Sequence, residues 1–152
     1  MEPLLIADIE AAVRASWGAD TTTPEYRPRW NAANPARDQC GVTALVLHDL
    51  LGGELIRGEV RVDGERVDFH WWNRLGMGVE VDLTREQFEA HEIVSGGVVI
   101  ERPDEIVRLR AEYELLRDRV LGRLGVRTRG EVPAPVVRGR RGKDGRFRFG
   151  RS

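Results

Sequence analysis

Asn34-Pro-Ala-Arg-Asp-Gln-Cys-Gly-Val-Thr-Ala-Leu-Val46 is the stretch on which the fold turns, because an irregular loop becomes an apolar helix within it. Cys40, the only cysteine of the chain, stands at the changeover. A thiol on the first turn of a helix faces unpaired backbone N–H groups and the positive end of the helix dipole. Both favour thiolate over thiol, as a nucleophilic cysteine requires. Position alone leaves a second reading open, in which Cys40 is a small buried hydrophobe.

Downstream of Cys40, positions 40, 43, 44, 47, 50 and 51 share one stripe, and Val42, Leu45 and Val46 widen it. A helix over 39–51, apolar on most of its surface, is a central one. Asp38 is its expected N-cap, and Gly52-Gly53 ends it. Upstream, residues 19–38 carry Pro24, Pro28, Pro35, Asn31 and Asn34, too many breakers for a regular element. Ordered loops of this length are uncommon and usually functional. Tyr26 and Trp30 either pin the loop to the body or line a cleft. Before the loop, Leu5, Ile9, Ala12, Val13 and Trp17 recur at helical spacing over 3–17, and Gly18 stops the helix.

Strands follow the central helix. Residues 54–62 close on Asp63-Gly64, a turn dipeptide. Residues 66–73 alternate, with Val67, Phe69 and Trp71 expected on the core face and Asp68, His70 and Trp72 opposite. Residues 79–83 alternate again. Pairing Asn73 with Val79 sets Trp71 against Val81, Phe69 against Leu83 and His70 directly opposite Asp82, within reach of an imidazole–carboxylate hydrogen bond. Thr84 with Gln87 reads as a capping box for a short helix, and 92–101 as a fourth, edge strand. The longest helix is expected over 103–124, with the stripe Ile106, Leu109, Tyr113, Leu116, Val120 and Leu124 facing either the domain or a second copy in a homodimer. The sum is one α+β domain over 1–125, a helix packed on a small antiparallel sheet with flanking helices.

Composition sets the boundaries of function. The chain has 152 residues, 41% apolar and 32% charged, within the globular range. It contains no apolar run long enough to span a membrane. A lone cysteine allows no internal disulfide and no all-cysteine metal site, which fits a reduced cytoplasmic setting. No histidine pair has zinc-like spacing and no glycine-rich phosphate loop occurs, so no metal or cofactor is expected. The formal charge of −1 conceals an acidic body and a basic Arg/Gly-rich segment over 126–152, which composition marks as a disordered tail. Arg138-Gly-Arg-Arg141 and Arg146-Phe-Arg-Phe149 suit at most weak, salt-sensitive polyanion contacts.

Cys40, His70 and Asp82, in that chain order, have the makings of one site. The thiolate attacks a carbonyl, the imidazole takes and returns the proton, and the carboxylate fixes the imidazole tautomer. Asn73 is an alternative orienting group, on the wrong face by alternation. The oxyanion falls to the Cys40 N–H together with Gln39 or Asn34. Trp30 and Trp72 are candidate walls of a substrate cleft, while His48 reads as structural and His91 carries no signal. A non-catalytic module binding a protein or peptide, its cysteine merely packed, is the competing reading.

Ser16-Trp-Gly18, Trp30, Asn34-Pro35, Gln39-Cys-Gly-Val-Thr-Ala-Leu45, Gly52-Gly53-Glu54, His70-Trp-Trp-Asn-Arg-Leu75 and Val81-Asp-Leu-Thr84 followed by Phe88 together resemble the bacterial YunG-like family, from residue 10 to residue 90. That family is similar to the papain-like cysteine-enzyme fold, where Cys-His-Asp is the chain order of transglutaminase-like and NlpC/P60-like enzymes. The resemblance implies a papain-like core, Cys40 as nucleophile, His70 as base and Asp82 as orienting residue. It implies hydrolysis or transfer of an acyl group at an amide or thioester bond, and names no substrate.

Overall fold

A computed structural model describes residues 5–126, and most of the tail expected from 126 onward therefore lies outside the described residues. Helix α1 spans Ile6–Ser16 and buries Ile9, Ala12, Val13 and Ser16. Trp17 follows it into the core, whereas Leu5 is exposed. The proline-rich loop is not wholly irregular. It makes 3-10 turns at Ala19–Thr21 and Pro24–Arg29, because prolines at 24 and 28 fix φ and remove N–H groups that an α-helix would need.

Helix α2 spans Cys40–Leu51 and buries Val42, Thr43, Ala44, Val46 and Leu47. Asp38 is not its N-cap. Gln39 holds that position, and its side chain makes no capping hydrogen bond. Asp38 has φ 61 and accepts both forks of Arg29 at 3.1 Å instead. The chain thus enters the helix through a left-handed residue, a conformation that Asp tolerates better than most.

Four strands form one antiparallel sheet, β1 (Glu54–Val62), β2 (Glu65–Arg74), β3 (Glu80–Val81) and β4 (Ile93–Ile100), in the order β3-β2-β1-β4. The β2–β3 register differs from the expected one by two residues, since Asn73 pairs with Val81 and Arg74 with Glu80. The shift keeps every side chain on its face, because the pleat repeats every two residues. Both faces of β2 are packed, not the expected one alone. His70 and Trp72 are buried on one face and Asn73 on the other, Phe69 and Trp71 are half-buried, and Val67 is 59% exposed. Glycines make room for the indole, since a Cβ on Gly58 would stand 2.7 Å from the Trp72 ring and one on Gly97 3.1 Å. Register shifts between Arg57 and Glu59, opposite Gly96 and Gly97, so β4 carries a bulge in its middle.

Thr84 and Gln87 form no capping box. Residues Arg85–Gln87 make a single 3-10 turn, and the Gln87 side chain reaches away to accept the Asp38 backbone N–H at 3.1 Å. The last helix, α3, spans Arg110–Leu124 and starts seven residues later than the 103–124 pattern predicts. Leu109 interrupts the pattern with φ 59, a left-handed conformation that no helix continues through. The stripe itself is real. Ile106, Tyr113, Leu116 and Val120 are buried with Ile9, Val13, Trp17 and Val46, and Leu109 and Leu124 pack against them. A stripe consumed inside the chain leaves no such face on α3 for a second copy. Among the described residues no helix is long and apolar enough to cross a membrane.

Candidate functional site

The loop before α2 is held by polar side chains that bridge it to the body. Gln39, fully buried, accepts from the Thr21 hydroxyl at 2.8 Å and donates from Nε2 to the Gly18 carbonyl at 2.9 Å. Asn34 Nδ2 donates to the Gln87 carbonyl at 3.1 Å, and Trp30 Nε1 to the Pro35 carbonyl at 3.2 Å. These contacts engage all three side chains, and for Trp30 they match the pinning alternative. Gln39 and Asn34 are tethers of the loop that carries Cys40 rather than free oxyanion donors, and Trp30 pins that loop. The Cys40 N–H still opens the helix, where no intrahelical acceptor is available to it.

Cys40 lies in the wall of a cleft of about 610 Å³, with Tyr26, Phe69, Trp71, Phe88 and Ile106 among the other walls. Trp72 is not in this cleft. Its ring is buried, and its neighbour Trp71 takes the wall position. Cys40 keeps some contact with solvent while its sulfur is surrounded by protein, and burial pushes the thiol up to about 11. The Trp71 backbone pulls in the opposite direction, and Asp68, Asp82 and Asp38 add to the rise. Desolvation is thus the largest influence on the thiol, and it runs against the thiolate that a helix start favours.

His70 and Asp82 do meet. His70 Nε2 lies 2.7 Å from Asp82 Oδ2, with the imidazole fully buried and the carboxylate nearly so. The contact is diagonal across β2 and the end of β3 rather than directly opposed, given the register. The ring stacks on Trp72 at 5.5 Å between centroids and takes the edge of Phe88 at 4.8 Å. Asn73 is no substitute for Asp82. Its Nδ2 donates to the Ala44 carbonyl of α2 at 2.9 Å, on the other face of the strand. With Nε2 given to Asp82, Nδ1 is the ring's remaining acceptor, and it is buried without a hydrogen-bond partner. Cys40 thus touches the backbone of the residue next to His70 and makes no hydrogen bond to the imidazole.

The other histidines divide as expected or acquire neighbours that spacing did not disclose. His48 Nδ1 lies 2.9 Å from Arg102 Nη1 inside a polar cluster with Asp49 and Tyr113. His91 is exposed, and with Glu89 and Glu92 it places three ligand-type atoms within 4.8 Å of one another. Glu92 is already engaged by Arg37 at 2.7 Å, a contact that helps hold its carboxyl below the usual range against burial. Arg57 is the cleft residue that the sequence reading passed over. It sits within a strand that periodicity treats only as framework.

A model of the YunG protein family matches residues 5–125 of the chain. The YunG protein of Bacillus subtilis is 34% identical over 82 residues, which cover 54% of this chain and 62% of that relative. The alignment thus spans less than two thirds of the relative's length. No solved structure matches the chain.

Proposed function

The chain belongs to the YunG family, and we propose that it is a papain-like thiol enzyme that cleaves or transfers an acyl group at an amide or thioester bond. The observation carrying this reading is the buried His70–Asp82 pair, 2.7 Å apart, whose Nδ1 remains an unused acceptor on the residue next to Trp71, the backbone of which Cys40 meets. With Asp82 accepting from Nε2, Nδ1 is the ring atom left to take a proton. As substrate fills the cleft, the thiol and Nδ1 close on each other, a contact that is commonly loose in a free enzyme. The thiol proton passes to Nδ1 as sulfur bonds the carbonyl carbon. The carbon–nitrogen or carbon–sulfur bond then breaks, and the leaving group takes that proton. Water or another acceptor releases the acyl group from Cys40 by the reverse exchange. The Cys40 N–H faces the developing oxyanion. A thiol at about 11 suits this order of events, because the nucleophile forms only when its base is in place.

The same elevated thiol favours a second reading, a peptide-binding module whose cysteine is a packing residue. Acylation separates the two. With S-octanoyl-N-acetylcysteamine as donor and intact-mass detection, Cys40 should acquire one octanoyl group. The rate should fall by about 100-fold or more in His70→Ala, the usual weight of a positioned base. Equal rates in the two proteins would leave the binding module.

A further inference from the structure

The cleft carries more uncommitted positive charge than negative. Of its acids, Asp38 is engaged by Arg29 at 3.0 Å and Glu92 by Arg37 at 2.7 Å, while the Asp68 carboxylate accepts the Phe69 backbone N–H at 2.7 Å. Arg57 and Arg108 line the same cleft, and among the described residues neither has a carboxylate within 4.0 Å. The Arg57 guanidinium lies over Phe69 at 4.5 Å and near Trp71 at 5.9 Å. From the other strand position, Arg66 lies 4.6 Å from the same Phe69 ring, also without a carboxylate partner. An aromatic face orients a guanidinium but cannot neutralise it, and Arg57 lines the cleft with its charge unpaired among the described residues.

We propose that Arg57 is the anchor for a carboxylate on the ligand of this cleft, and that the ligand is an amide with an apolar acyl chain and a free carboxylate, as in an N-acyl amino acid. Its placement at the thiol rests on the enzyme reading above; its binding does not. Arg57 pairs with Trp71 across β1 and β2, and Cys40 meets the Trp71 backbone. The thiol and the guanidinium therefore flank one residue, and adjacent strands are only about 4.8 Å apart. Trp71 thus neighbours both groups, as a ligand carrying its carboxylate close to its amide carbonyl requires. Leu55, Ile100, Ile106 and Val107 supply apolar wall for the acyl chain. A planar two-pronged donor matches a carboxylate, which explains an arginine in a strand interior better than a surface charge does.

Calorimetric titration with N-octanoylglycine tests the assignment, using the full chain in Cys40→Ser form so that acylation cannot intervene. Saturable binding is expected, and the wild-type chain should bind equally well. Binding should weaken about tenfold or more in Arg57→Gln, and similarly for the neutral N-octanoylglycinamide on unaltered Arg57. Arg57→Lys, which keeps charge and fold but loses the fork, should fall between. Three results would each overturn the proposal: no saturation by about 10 mM, equal binding of acid and carboxamide, or full binding in a folded Arg57→Gln. Competition by millimolar inorganic phosphate with no loss on removing the acyl chain would also overturn it, by assigning Arg57 to phosphate. Binding that follows Arg57 while His70→Ala acylates normally would retain the ligand site and discard the triad.

Discussion

Helix α2 has a histidine cluster near each end, and the two are built differently. Toward its C-terminal end, Tyr113 donates to Asp49, Arg102 pairs with the same carboxylate at 2.7 Å, and Arg102 also reaches His48 at 2.9 Å and the Tyr113 oxygen at 3.0 Å. At the N-terminal end the His70–Asp82 pair is short, but His70 Nδ1 and Asp82 Oδ1 are buried without partners. A buried polar atom left unpaired costs about 1–3 kcal/mol. His70 Nδ1 and Asp82 Oδ1 place part of that cost at the end of the helix that faces the cleft. Strain of this kind collects at working sites.

Exchanging residues between the two ends should give opposite phenotypes. Asp49→Ala removes an acceptor shared by a partly buried tyrosine and a largely buried arginine. It should lower unfolding free energy by roughly 3–5 kcal/mol in urea titrations and leave Cys40 acylation unchanged. Asp82→Asn should do the reverse, slowing acylation by about tenfold or more while costing only roughly 1–3 kcal/mol. If Asp82→Asn were merely destabilising, the contrast between the ends would collapse.

Alkaline titration probes both ends together. Burial pushes the Cys40 thiol up to about 11 and, with the nearby Asp49, the Tyr113 hydroxyl up to about 12. Ordinary values are about 8.5 and 10. Both groups keep their protons in the folded chain at pH values where the unfolded chain releases them, so stability falls as pH rises. The loss should begin near pH 9, and by pH 11 Cys40 alone should account for roughly 2–3 kcal/mol. Cys40→Ser should flatten the first part of that decline, and alkylation by iodoacetamide should keep accelerating up to about pH 11.

Smaller effects test the packing around His70. Gly58→Ala drives a methyl group against the Trp72 ring and within 3.0 Å of the Ser95 carbonyl, which should cost about 1–3 kcal/mol. Trp30→Phe deletes only the hydrogen bond to Pro35 and should cost about 1 kcal/mol, with acylation reduced little.

What was legible in the sequence follows the same division. The body of α2, the β1–β2 hairpin and the buried stripe of α3 are local patterns, and residues such as Val46, Asp63-Gly64 and Leu116 announce them. The nearness of His70 to Asp82 survived a register error because a shift of two keeps residues on their face. The packing of both faces of β2 could not be read from alternation, since the room for the Trp72 ring is made by distant Gly58 and Gly97. The roles of Asp38, Gln39 and Gln87 depended on partners as distant as position 87, beyond the range of any cap motif. Thiol acidity failed for a different reason. A helix terminus is visible in sequence, but the desolvation that runs against it is a property of the assembled fold.

The kink in β4 bears on how the protein behaves at high concentration. This is an edge strand of eight residues whose Ile93, Val98 and Val99 are each more than half exposed, with no charged residue along its length. A straight edge of that composition would recruit further chains and seed fibrils. Gly96 with φ 73 and Gly97 with φ 146 break the row of donors and acceptors halfway, so neither remaining half offers a template longer than a few residues. Gly97, which admits an indole on one side, thus also serves with Gly96 as a safeguard against self-templated assembly.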